Sequence, residues 1–123
     1  MIQQGMYVLA VQDLEASARY YQDILGFSVH EIGDPGWRML RKDGCRIMIG
    51  HCPETPAARE LGDHSYFAYW IVDDIEAYFE RVQQHGAELI KHLRSEPWGM
   101  REFGLRTPDG HRIMIGQSEE ASP

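Results

Sequence analysis

The chain has only two cysteines, Cys45 and Cys52, in 123 residues. That number and spacing give neither a disulfide framework nor a zinc knuckle, so both read as reduced thiols. Positive charge is also short: 12 Lys and Arg stand against 19 Asp and Glu, a formal net charge of −7. A basic face is what nucleic acid and anionic membranes require, and both are excluded as partners. No apolar run is long enough to span a bilayer and no charged-then-apolar leader follows Met1, so a cytoplasmic location is expected. Ser-His-Asp text, a glycine-rich phosphate loop and Cys-x-x-Cys are missing. The histidines, His30, His51, His64, His85, His92 and His111, form no His-x-His or His-x-x-x-His pair. Cys52 follows His51, but adjacent strand residues point to opposite faces, which rules against a thiol nucleophile with that base.

What the chain does contain is a copy of itself. Asp43-Gly44-Cys45-Arg46-Ile47-Met48-Ile49-Gly50 returns as Asp109-Gly110-His111-Arg112-Ile113-Met114-Ile115-Gly116, seven of eight positions matching at an offset of 66. Upstream, Val11-Gln12-Asp13-Leu14-Glu15-Ala16 is echoed by Val72-Asp73-Asp74-Ile75-Glu76-Ala77 at an offset of 61. Two copies are too few for a solenoid, so they imply one paired, pseudo-twofold domain. A hydrophobic content of 43% suffices for its core.

Period and punctuation order each copy. Tyr7 to Val11 reads as a strand stopping at Asp13, an N-cap; apolar residues at helical spacing follow from Leu14 to Leu25, and Gly26 ends the helix. Phe27 to Ile32 and Trp37 to Lys42 read as strands around the turn Gly33-Asp34-Pro35-Gly36. Asp43-Gly44 is a two-residue hairpin leading into Arg46 to Gly50. The second copy gives strand Tyr66 to Val72, a helix Ile75 to His85 capped by Asp73 or Asp74, and strands Ala87 to Leu93, Met100 to Arg106 and Arg112 to Gln117. Thr107-Pro108-Asp109-Gly110 supplies its turn. The expected class is α+β: two βαβββ modules forming a curled, partly open mixed sheet with helices on its outer face. Module one covers about 5–52, a linker 53–64 carries one helical turn from Ala57 to Leu61, module two covers about 65–117, and the tail 118–123 is expected to fray.

These modules, together with Val11 to Ser17, Leu25-Gly26-Phe27 and Pro97-Trp98-Gly99-Met100-Arg101-Glu102-Phe103 followed by Pro108-Asp109-Gly110-His111, resemble the vicinal oxygen chelate superfamily over roughly residues 5 to 117. That group includes glyoxalase I, extradiol dioxygenases, fosfomycin-resistance transferases and bleomycin-resistance proteins, and the text lies nearest the last. The resemblance implies a U-shaped cavity holding a divalent metal. Its ligand positions, carried over by counting from Asp13, Asp74, Gly44 and Gly110, fall on Met6, Phe67, Met48 and Met114. None of these offers the carboxylate or imidazole that Mg²⁺, Zn²⁺ or Fe²⁺ asks for. No metal and no cofactor is therefore expected.

Strand alternation puts Arg46, Met48 and Gly50 on the cavity side with Arg112, Met114 and Gly116, and Met6, Val8 and Ala10 with Phe67, Tyr69 and Ile71; Ile47, Ile49, Ile113 and Ile115 turn under the helices. Methionine and aromatic groups suit an apolar ligand of variable shape. The candidate ligand-binding residues are Trp37, Arg46, Met48, Phe67, Tyr69, Trp98, Arg101, Glu102, Arg112 and Met114. Trp37 lies at the 66-residue offset from Phe103, which would pair the two rings about the pseudo-twofold. No catalytic residue is assigned. The favoured function is metal-independent sequestration of an aromatic or amphiphilic compound in a cavity or dimer crevice, with a homodimer as the expected assembly. A divalent-metal lyase or dioxygenase with displaced ligands, drawn from His30, His51, His92 and Glu102, stays open, as does a ligand-free regulatory dimer.

Overall fold

A computed structural model describes residues 1–119. The expected tail falls partly outside these: Ser118 ends a strand, and residues 120–123 lie beyond the described part. Module one runs β1 (Tyr7–Val11), α1 (Leu14–Asp23), β2 (Ser28–Glu31), β3 (Trp37–Lys42) and β4 (Cys45–His51). Module two repeats it as β5 (Tyr66–Ile71), α2 (Ile75–Gln84), β6 (Glu88–Ser95), β7 (Met100–Arg106) and β8 (Arg112–Ser118).

Both helices start where their caps dictate. The Asp13 carboxylate accepts the amide of Ala16 at 3.0 Å, and Asp74, rather than Asp73, accepts that of Ala77 at 3.1 Å. Such caps satisfy amide groups the helix cannot, and each stabilises by about 1 kcal/mol. Past the helix ends, Gly26 (φ 86°) and Gly86 (φ 84°) take the left-handed conformation that turns the chain into the next strand. The linker holds a longer 3₁₀ segment than one turn, Ala58–His64, kinked at Gly62.

The mixed sheet is present as two four-stranded halves, ordered β1-β4-β3-β2 and β5-β8-β7-β6. In each, the first strand pairs parallel to the last and the remaining ladders are antiparallel. Ile47, Ile49, Ile113 and Ile115 are fully buried on the helix side, as the alternation predicts. Each such burial is worth about 1.5–3 kcal/mol. The modules are joined through a run of rings, Tyr21 on Phe27 at 5.7 Å and Phe27 on Trp70 at 5.5 Å. Reciprocal hydrogen bonds support it: Tyr20 donates to the Arg106 carbonyl and Tyr78 to that of Leu25.

The register corrects the pairing of Trp37 with Phe103. Trp37 stands opposite Gly50 and Glu102 opposite Gly116, so the pseudo-twofold mate of Trp37 is Glu102. The spacing between turn and preceding strand differs by one residue between the copies, and one residue flips the face. Phe103 is accordingly buried against Phe79 of α2, at 5.2 Å between ring centres, while Trp37 lies on the opposite, helix-free side against Gly50.

Candidate functional site on the open face of the second sheet

The helix-free face of each sheet carries the residues that alternation assigns to the cavity. Val8, Tyr69, Ile71 and Met6 are all exposed there, Ile71 at 68% and Val8 at 60%. Met48 and Met114 occupy equivalent ladder positions, opposite Val8 and Tyr69. A β-bulge alters the count in β5: Tyr66 pairs with Arg112 and Ala68 with Ile113, leaving Phe67 as the extra residue. Its ring packs edge-on against Tyr7 and His111 at 5.3 and 5.5 Å, and Tyr66 takes the place beside Arg112.

Glu102 is the chemical centre of this face. It is only 3% exposed, a costly state for a carboxylate unless its oxygens are bonded. Lys91 donates to Oε1 at 2.7 Å, Tyr69 donates its phenol hydrogen to Oε2, and the Trp98 indole donates to Oε2 at 3.4 Å. Burial by itself would push the Glu102 carboxyl up, but these three donors outweigh it and hold it below the usual range. For Lys91 burial pulls down, and the bonds to Glu102 and Glu96 reverse that and raise it. The Tyr69 phenol is raised by burial first and by Glu102 second. Carboxylate, ammonium and phenol therefore keep their charge states through neutral pH. A general acid or base works best with a pKa near the operating pH, so the cluster is built to position and to pair rather than to move protons.

Trp98 stands over this cluster at the edge, 61% exposed, with the Lys91 ammonium 5.4 Å from its ring centre. A hollow of about 450 Å³ opens on the same face over Tyr66, Phe67, Ala68, Tyr69 and Met114. A larger cleft of about 930 Å³ lies between the modules and shares Met6, Arg46, Tyr69 and Ile71 with this face. Apolar side chains and a bonded charge converge at Glu102, the combination that a specific ligand face requires.

The other candidates separate. Arg101 points to the helix side and pairs with Glu76 of α2, away from Glu102, as strand alternation requires. Arg112 pairs with Asp63 of the linker at 2.9 Å and lies over the Tyr66 ring, whereas Arg46 reaches only Gln4 at 3.3 Å, so the two arginines form no common floor. His92 packs on Phe79 on the helix side, His30 bonds Ser28, and His51 is exposed at the end of β4. Among the described residues no three His, Cys, Asp or Glu side chains come together to hold a metal. Nothing in the sequence singles out Lys91. The register shift between Leu89 and Lys91 sets it opposite Gly104, on the face of Glu102, and such an irregularity leaves no periodic signal.

With this geometry in place, comparison with known proteins is decisive at one level. Residues 3–115 match the family described as the Glyoxalase/Bleomycin resistance protein/Dioxygenase superfamily. The chain belongs to that superfamily. Among curated relatives it is similar to Glutathione transferase FosA of Serratia marcescens, 26% identical over 113 residues, covering 87% of this chain and 74% of that protein. It is also similar to the uncharacterized protein Mb0911c of Mycobacterium bovis, 29% identical over 82 residues, which are 67% of this chain but about half, 53%, of that longer protein. Among solved structures, a bleomycin-binding protein complexed with bleomycin superimposes with a TM-score of 0.76 at 21% identity, over 96% of this chain and all of that one. TioX from Micromonospora sp. ML1 gives 0.73 at 22% identity, over 98% and 100%. At these identities the structural likeness establishes the fold.

The superfamily implies a divalent metal, and the side chains here do not fit one. Met6, Met48, Phe67 and Met114 stand at the carried-over positions, and moving one place for the bulge substitutes only Tyr66. A thioether is a weak acceptor and a soft ligand, unsuited to the hard cations such a site takes.

Proposed function

We propose that the protein is a metal-independent binding protein that sequesters an aromatic or amphiphilic small molecule on the open face around Glu102. The carrying observation is Trp98: a large ring left 61% exposed beside a buried, fully bonded carboxylate. Such an arrangement offers a flat ligand a stacking wall, and the exposed Val8, Tyr69 and Ile71 offer apolar surface. Bleomycin, held by the bleomycin-binding neighbour, is a precedent for a small-molecule ligand on this fold. A homodimer belongs to the same reading, since among the described residues β1 and β5 are edge strands of their sheets, next to that apolar surface.

The test has two arms. Protein purified without chelator is analysed for metal and then screened by thermal shift against glycopeptides, planar antibiotics and phenolic compounds. A binder at a hundredfold excess over its Kd adds about 2.7 kcal/mol of stability. Metal content well below one equivalent with at least one stabilising compound supports the reading; stoichiometric Zn²⁺, Ni²⁺, Mn²⁺ or Fe²⁺ overturns it in favour of a metalloenzyme with displaced ligands.

A further inference from the structure

Each module carries a pair of arginines across its open face, and only one of the pairs is balanced by acid. In module two the row is Tyr66, Arg112, Arg106 and Glu88, successive ladder partners across β5, β8, β7 and β6. Like charges set directly opposite each other on one face repel, so Arg106 and Arg112 need relief. They have it: Glu88 stands 3.6 Å from Arg106, and Asp63 2.9 Å from Arg112.

The corresponding row of module one is Arg46, Arg41 and Ser28, ladder partners across β4, β3 and β2. Ser28 stands where module two has Glu88, and its hydroxyl is bonded to the Arg41 carbonyl at 3.2 Å and to the His30 ring at 2.9 Å. Arg46 reaches only the neutral Gln4 side chain, at 3.3 Å. Among the described residues neither Arg41 nor Arg46 has a carboxylate partner. The one acid in β1 to β4, Glu31, is the ladder partner of Arg38, whose guanidinium bonds Glu15 of α1 on the helix side. Of the acids in the cleft that Arg46 borders, Asp43 pairs with Lys42 at 3.8 Å, Asp74 caps α2 and Asp73 belongs to the wall of module two. Beyond the arginines the face turns apolar. Met39 and Met48 are the next partners along β3 and β4 on this side, and Trp37 follows opposite Gly50, its ring occupying the space a Cβ there would need. Four steps of strand separate Arg41 from Trp37, about 13 Å.

We infer that the open face of the first sheet is a second ligand site, which takes an amphiphilic organic anion: its carboxylate is held by Arg41 and Arg46, and its apolar body lies along Met39 and Met48 toward Trp37. A guanidinium meets an oxyanion with two charge-assisted bonds, and an anion between the two arginines relieves the repulsion that Glu88 and Asp63 relieve in module two. The methionines adapt to the shape of the body. The site is on the other sheet from Glu102 and does not rest on the reading of that face.

The probe is decanoate, titrated into the full isotopically labelled chain and followed by NMR. Saturable shifts are expected at the Met39 and Met48 methyl groups and at the side-chain N–H groups of Arg41 and Arg46. Decan-1-ol and acetate, each one half of the match, are expected to bind at least tenfold more weakly. Arg41→Gln and Arg46→Gln should each weaken decanoate at least tenfold, and Arg106→Gln, the same position in module two, should leave it unchanged. Ser28→Glu, which copies the arrangement of Glu88, should also weaken it at least tenfold, because the new carboxylate competes for Arg41. The inference is overturned by the absence of saturable shifts at millimolar decanoate, by shifts confined to Tyr69, Glu102 and Trp98, or by decan-1-ol binding as tightly as decanoate. It is also overturned if Arg41→Gln and Arg46→Gln, folded by circular dichroism, bind decanoate with unchanged affinity.

Discussion

Glu102 shows how one side chain can organise a face. Its charge is tolerable only because three donors meet it, and Lys91 is the strongest of them at 2.7 Å. Lys91→Met leaves the carboxylate with two neutral donors, and breaking a buried pair in this way costs about 3 kcal/mol, to be read as a lowered midpoint in urea unfolding. Trp98 responds in the opposite manner because it is mostly exposed. Trp98→Ala is expected to lose about 1–3 kcal/mol of affinity for a bound aromatic compound by calorimetry and less than about 1 kcal/mol of unfolding free energy. A loss of several kcal/mol in stability would make the ring part of the core. Several titrating groups shape the acid side of the stability curve, His111 and Glu102 among them. His111 is lowered by burial, only partly offset by Asp109 at 3.9 Å, so the unfolded chain takes up its proton first and stability falls as pH drops below about 6.5. Glu102 is held low, so its contribution is present above about 4.5 and is lost as pH falls through the lowered folded value. Unfolding measured from pH 8 to 3 should show both losses, with His111→Phe removing the upper and Glu102→Gln reducing the lower, to which Glu96, held low by Arg94 and Lys91, also contributes.

At the scale of elements, caps, turns and alternation were legible while irregular pairing was not. Asp13, Asp74, Gly26 and the Asp43-Gly44 and Pro108-Asp109-Gly110 turns carry local chemistry, and each stands where that chemistry predicts. The bulge at Phe67 and the register shifts in β6 have no local signature. They follow from what packs nearby, Tyr7 and His111 on one side and the Glu102 pair on the other. Gly116 shows how closely the β5–β8 pairing is tied to the site: a Cβ there would collide with the Tyr69 hydroxyl, although the backbone itself is unstrained. Gly116→Ala should therefore displace Tyr69 from Glu102 while the fold persists by circular dichroism. The Tyr69 phenol pKa, followed by ultraviolet titration, should fall from its raised value toward about 10.

For the whole molecule, the exposed strand edges and the open-face residues Val8 and Ile71 argue for assembly. Wild-type protein should scatter light as a dimer at micromolar concentration, and Val8→Asp with Ile71→Asp should shift it to monomer, because two buried charges oppose an apolar contact. A wild-type monomer would count against a crevice shared between subunits.

The sequence by itself determined the two-module architecture, the helix boundaries, the buried isoleucine ladder and the methionines at the superfamily's metal positions. Each of these is written in periodicity or in residue chemistry at fixed spacing. The tertiary structure decided which side chains meet. It sent Arg101 to the helix face and Glu102 to the open one, brought Lys91 to that carboxylate, and matched Trp37 to Glu102 rather than to Phe103. These outcomes depend on a one-residue register and on contacts between residues far apart in the chain, where a single step along a strand reverses the face and no local pattern marks the step.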